Sequence, residues 1–133
     1  MSNNIQTSTV HHLRLTVSDV ARARDFYTKI LNFAVAMELP PGVLLSNGSV
    51  LLGLGPAPQR PLAGDRFDEN RVGLDHLSLS VASYADLERA VQHLDAHGVP
   101  HGEIKDLGSG FGIYVLEFRD PDNIQLELTA PYA

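Results

Sequence analysis

Three side chains have types and settings that could do chemistry together: His12, His76 and Glu127. His12 opens the run HLRLTV at 12–17, His76 opens the near-copy HLSLSV at 76–81, and Glu127 sits inside IQLEL at 124–128. In each run alternate positions are aliphatic: Leu13, Leu15 and Val17; Leu77, Leu79 and Val81; Ile124, Leu126 and Leu128. Side chains alternate faces along a strand, so the aliphatics should pack under helices while the two histidines and the glutamate share a polar face. Two imidazoles and one carboxylate are the donor set of a metal site that keeps positions open for a ligand. A buried glutamate without a counter-charge is costly, and a cation beside Glu127 removes that cost.

The elements that must position these groups form a duplication. His76 follows His12 by 64 positions, and the same offset carries Asp19 onto Ser83, both good helix-capping types. It also carries Ala23, Phe26, Tyr27 and Ile30 onto Leu87, Ala90, Val91 and Leu94, two sets with the spacing of a helix's apolar face. Gly98 with Val99-Pro100 then reads as a helix stop. Three strand-like runs follow each helix: 33–39, 43–46 and 49–54, then 102–106, 111–118 and 123–129. Turn residues separate them, among them Pro40-Pro41-Gly42, Asn47-Gly48 and Asp120-Pro121-Asp122-Asn123.

The expected architecture is α+β, one domain over 1–133 made of two βαβββ modules that form half-open, barrel-like mixed sheets. Module one spans about 10–55 and module two about 72–130, joined by a solvent-exposed connector at 56–71 that is rich in proline, glycine and charge. A four-stranded sheet with a helix on one face leaves the other bare, so two such sheets should curl around a common concave space.

Composition narrows the function classes. The net charge is −6, with 10 Lys and Arg against 16 Asp and Glu, so a nucleic-acid partner is not expected. No apolar run approaches the roughly 18–20 residues needed to cross a bilayer, and MSNNIQTST has no signal-peptide layout. There are no cysteines, hence no disulfide, thiolate ligand or cysteine nucleophile. A cytoplasmic protein acting on a small molecule, without a membrane partner, is the expectation.

The ordered signatures HLRLTVSD, RDFYTKILNF, GLDHLSLSV and RDPDNIQLEL resemble those of the vicinal oxygen chelate superfamily, from about His12 to Pro131. That group includes glyoxalase I, fosfomycin- and bleomycin-resistance proteins and extradiol dioxygenases. The resemblance implies one divalent ion per site (Fe, Mn, Zn or Ni), held by His12, His76 and Glu127, with His11 the weaker candidate for the first ligand. Such an ion would bind vicinal oxygens of a substrate, polarise them as a Lewis acid and stabilise developing negative charge. Glyoxalase I carries a fourth ligand, a glutamate, where this chain has Gly53 or Leu52. Fosfomycin-resistance enzymes match the three ligands but extend further beyond the last one, and extradiol dioxygenases are usually about twice as long. The leading expectation is a metalloenzyme of glyoxalase, dioxygenase or lyase type; the alternative is a bleomycin-resistance-like protein that sequesters a ligand without catalysis. In similar small members two chains pair, so a homodimer is expected, with His12 from one subunit and His76 and Glu127 from the other. An unpaired sheet edge on each module points the same way.

Other polar residues divide into pocket candidates and bland ones. Arg14, Thr16, Ser78, Ser80, Gln125 and Thr129 share strand faces with the three ligands, and Arg14 can pair an anionic substrate group. Tyr114 is a candidate proton donor if it faces inward; alternation does not settle this, because both faces of 113–118 are largely apolar. His93 and His97 have the i, i+4 spacing of a metal pair, but the last helical turn also suits histidines beside the negative end of the dipole. His101 has no evident partner and reads as a surface residue. Gly108-Ser109-Gly110-Phe111-Gly112 precedes a strand, not a helix, so it reads as a hairpin able to close over the concave mouth rather than a phosphate cradle. Asp65, Asp68, Glu69, Asp120 and Asp122 read as loop and turn residues.

Overall fold

The two near-copies fold into two equivalent units. The computed structural model describes residues 4–132. Unit one is β1 (Leu13–Thr16), α1 (Val20–Lys29), β2 (Ala34–Leu39), β3 (Gly42–Ser46) and β4 (Leu51–Gly55). Unit two is β5 (Leu77–Ser80), α2 (Tyr84–Ala96), β6 (Lys105–Asp106), β7 (Ile113–Arg119) and β8 (Gln125–Pro131). Each unit has its own four-stranded sheet, ordered β1-β4-β3-β2 and β5-β8-β7-β6. β1 runs parallel to β4 and β5 to β8, and the remaining pairs are antiparallel. The sheets stay half open, as the α+β duplication requires.

Both helices begin where the capping residues place them. Asp19 accepts from the Arg22 amide at 3.0 Å, and Ser83 with Asp86 forms a reciprocal capping box. α1 buries Ala23, Phe26 and Tyr27, and α2 buries Leu87 and Leu94. α2 stops at Gly98, whose φ of 65° suits glycine, while the Val99 amide reaches back to the Leu94 carbonyl at 2.9 Å.

Strand register then sorts the faces. Leu13 and Leu15 of β1 align with Leu52 and Leu54 of β4, and Leu77 and Leu79 of β5 align with Leu126 and Leu128 of β8. Leu45, Leu52, Leu54, Leu116 and Leu126 are wholly buried, each worth about 1.5–3 kcal/mol of transfer free energy. The opposite faces carry Arg14 aligned with Gly53, and Ser78 aligned with Glu127.

Three expectations need correction. The run 102–106 yields only a two-residue β6. His101 bridges Phe118 while Lys105 pairs Val115, so the register slips by one residue between them and a bulge interrupts the strand. A similar slip between Val35 and Met37 bends the edge strand β2. The connector is not simply a solvated tether either. The Phe67 amide donates to the Asp122 carbonyl at 2.9 Å, Asn123 Nδ2 donates to the Phe67 carbonyl at 3.0 Å, and Glu69 pairs Arg119 through both carboxylate oxygens, at 2.9 and 2.8 Å. It thereby walls a cleft of about 330 Å³ beside Thr16, Ser18 and Asp122.

The third correction concerns Asp120, whose role is not confined to its turn. It is 5% exposed and accepts from the Tyr27 hydroxyl and from the Asp122 and Ile124 amides, all at 2.8 Å. Burial is the main reason its carboxyl is pushed above the usual carboxylate range, with the Tyr27 bond pulling it back. Asp122 meanwhile takes hydrogen bonds from the Ser18 amide at 3.0 Å, the Ser18 hydroxyl and Arg22. The turn before β8 is therefore clasped onto the β1–α1 loop and α1 of the other unit, which ties the strand bearing Glu127 to the first module.

Candidate metal centre

The second module assembles two of the three expected ligands. His76 lies just before β5, and its Nε2 stands 3.7 Å from Oε1 of Glu127 on β8. Donors each about 2.1 Å from one ion lie roughly 3–4 Å apart, so the pair can share a cation. The other ring nitrogen, Nδ1, is held by Asp75 Oδ1 at 2.7 Å. A carboxylate on the far nitrogen fixes ring orientation and strengthens an imidazole ligand.

That carboxylate is itself positioned. Gln125 Nε2 donates to the Asp75 carbonyl at 3.0 Å and to Oδ1 at 2.9 Å, and Arg119 donates to Gln125 Oε1 at 3.3 Å. Arg119 in turn is gripped by Glu69, whose carboxyl the guanidinium holds down to about 2. A continuous chain of polar contacts therefore runs from connector to ligand. The hydrogen bond His76 donates to Asp75 is the largest cause raising its pKa above the usual imidazole range, with burial opposing and Glu127 and Glu117 adding to it.

Glu117, like Asp75, is a residue the sequence reading missed. It pairs directly with Glu127 across the β7–β8 ladder, so two carboxylates share one face. Like charges placed opposite one another are destabilising, and a cation between the modules' faces would relieve them. A four-residue turn at 120–123 would set Glu117 opposite Leu126; the pairing of Asp120 with Ile124 shortens the loop to 121–123 and brings Glu117 opposite Glu127.

The same register answers the open question about Tyr114. It aligns with Ala130 and packs edge-on against Tyr84 of α2, ring centroids 4.8 Å apart. It therefore faces the helix, away from Glu127, and does not join the ligand face. Thr129 does: its hydroxyl donates to Glu127 Oε1 at 3.3 Å. Gly53, not Leu52, takes the place in β4 that Glu127 takes in β8, since Gly53 aligns with Arg14 as Glu127 aligns with Ser78.

His12 is not brought to His76 and Glu127 within one chain. Among the described residues no group of three or more His, Cys, Asp or Glu side chains is placed to hold a metal. His12 lies exposed just before β1, its Nδ1 2.8 Å from Nδ1 of His11. His93 and His97 sit at the C-terminal end of α2, where His97 Nδ1 contacts the His93 carbonyl at 2.9 Å. His101 does have a partner: its Nε2 meets Asp95 Oδ1 at 2.6 Å, and that bond is the largest cause of its raised pKa. Phe111 in the glycine-rich loop is 76% exposed.

Residues 9–128 match the family model described as the Glyoxalase/Bleomycin resistance protein/Dioxygenase superfamily. The chain belongs to that superfamily. Among its relatives, the uncharacterized protein YaeR of Escherichia coli (strain K12) is 32% identical over 126 residues, 90% of this chain and 93% of that one. The crystal structure of a glyoxylase/bleomycin resistance protein/dioxygenase domain from Frankia sp. EAN1pec is 31% identical, with a TM-score of 0.79 over 95% of this chain and 93% of that one. A lactoylglutathione lyase from Agrobacterium tumefaciens shares the fold, at 21% identity and a TM-score of 0.72 over 93% of this chain and 94% of that one. The superfamily contains enzymes and non-catalytic members alike. Among the described residues no helix is long and apolar enough to cross a membrane.

Proposed function

We propose that this superfamily member is a small metal-dependent enzyme of the glyoxalase/dioxygenase type, working as a homodimer on a substrate with vicinal oxygens. The observation that carries the proposal is the His76–Glu127 approach of 3.7 Å, backed by Asp75 on the outer ring nitrogen. His12 of one subunit would complete the site with His76 and Glu127 of the second copy. This accounts for ligands that do not converge within a single chain.

A divalent ion held there would supply Lewis acidity toward two adjacent substrate oxygens. The chain's own residues do the rest. Asp75 and Gln125 hold the His76 ring in place, and Thr129 steadies Glu127. With three protein donors, coordination positions stay open for a bidentate ligand.

The test is metal analysis of protein loaded with cobalt and then freed of excess ion. Wild type and His93→Ala should retain about one ion per site, while His12→Ala, His76→Ala and Glu127→Gln should lose tight binding. Undiminished binding by His76→Ala would sink the assignment. An apolar ligand bound equally well with and without metal would favour sequestration instead.

A further inference from the structure

We propose that Arg14 anchors the substrate and that this substrate carries, apart from its vicinal oxygens, a separate carboxylate. The proposal rests on the metal-chelate reading above and extends it to substrate class.

Its basis is an asymmetry between two equivalent rungs. In module two the rung beside the ligands is Ser78 aligned with Glu127; in module one it is Arg14 aligned with Gly53. Where one half of the site presents a hydroxyl and an anion, the other presents a cation and no side chain. The stem of Arg14 lies along Gly53: a Cβ there would stand 3.5 Å from Arg14 Cγ, an ordinary contact distance. Its guanidinium lies over Gly55, where a Cβ would overlap the terminal nitrogen and come within 2.8 Å of Cζ. Two glycines on one face of β4 thus leave the room in which the exposed Arg14 side chain lies along the sheet.

The cation is also unspent. Two arginines lie in strands, and Arg119 is neutralised by the bidentate pair with Glu69. Among the described residues Arg14 has neither an ion-pair nor a hydrogen-bond partner. A guanidinium recognises a planar carboxylate through two parallel hydrogen bonds. Arg14 follows His12 by two positions on the same face, so a ligand reaching the ion through adjacent oxygens would meet the fork with its far end.

The experiment uses the full-length cobalt-loaded protein and two matched pairs of probes that differ only in a distal carboxylate: malate against 2-hydroxybutyrate, and 2-oxoglutarate against 2-oxopentanoate. Calorimetry should show the diacid bound at least about tenfold tighter in one pair, the scale of a charge-assisted contact. Arg14→Gln should reduce that preference to within about twofold, and Arg14→Lys, a point charge without the fork, should keep only part of it. Gly55→Ala keeps the cation but pushes it from its place over β4, so it should lose the preference too. Cobalt content and melting temperature should match wild type in all three variants. Equal affinity within both pairs, or a preference that survives Arg14→Gln, overturns the proposal. So does a loss of dimer or melting temperature in Arg14→Gln with both members weakened alike, which would mean that Arg14 pairs a carboxylate of the second copy. If no probe alters the cobalt absorption spectrum, the metal-chelate reading itself falls, and this proposal falls with it.

Discussion

Replacing Tyr27 with phenylalanine removes one hydroxyl from the clasp that joins the two modules. Tyr27 is fully buried and donates to Asp120 Oδ2 at 2.8 Å, and burial with the neighbouring Asp120 charge raises its own pKa far above the usual phenol range. A hydrogen bond to a charged group contributes about 1.5–3 kcal/mol. Asp120 keeps the two backbone amides of Asp122 and Ile124, so it is not orphaned, and the expected loss is about 2 kcal/mol. For a chain of this size that corresponds to a fall in Tm of roughly 6–10 °C, read by calorimetry or by urea unfolding with an unchanged slope. The pH dependence follows from Asp120. Its folded pKa lies above its unfolded value because burial disfavours the charge. Its stabilising contribution is therefore full below the unfolded value of about 3.9 and is lost as pH rises through the folded value. Removing the Tyr27 bond, which lowers that folded value, raises it further, so the gap between wild type and variant should widen from acid to neutral pH. A Tm change under about 2 °C at pH 7, or a gap that narrows with pH, would refute the clasp.

Two further predictions concern groups around the site. Asp75→Ala should weaken divalent-ion affinity by about tenfold, the lower end for an orienting carboxylate because Asp75 is well exposed, as measured by competition with a chelating dye. His101 is raised by its bond to Asp95, so the pair stabilises the fold below the unfolded value of about 6.5 and ceases to do so as pH passes the folded value; Asp95→Ala should lower Tm at pH 6 and leave it unchanged at pH 9.

Much of the fold was legible because its signals were local and doubled. The offset between His12 and His76 places β1 on β5, and the caps Asp19 and Ser83 mark both helix starts. What stayed hidden depends on pairing between distant residues. No periodicity shows that β6 breaks at a bulge, because the slip is set by how His101 and Lys105 meet β7. Alternation could not orient Tyr114 in a strand apolar on both faces; only the ladder with Ala130 does so. Asp120 looked like a turn residue because Tyr27, its partner, is 93 positions away. Alternation put Gln125 on the face of Glu127, whereas Asp75 and Glu117 needed the contacts and register of the folded chain.

The central claim, a metal centre shared between two copies, is tested most directly by mixing two damaged chains. His12→Ala and His76→Ala subunits carry different tags, are unfolded and refolded together, and the doubly tagged dimer is isolated and loaded with cobalt. Each homodimer has one lesion in every site and should hold no tightly bound ion. In the mixed dimer a shared arrangement gathers both lesions in one site and leaves the other intact, so about one ion per dimer should remain after desalting. A mixed dimer that retains none would contradict the shared centre.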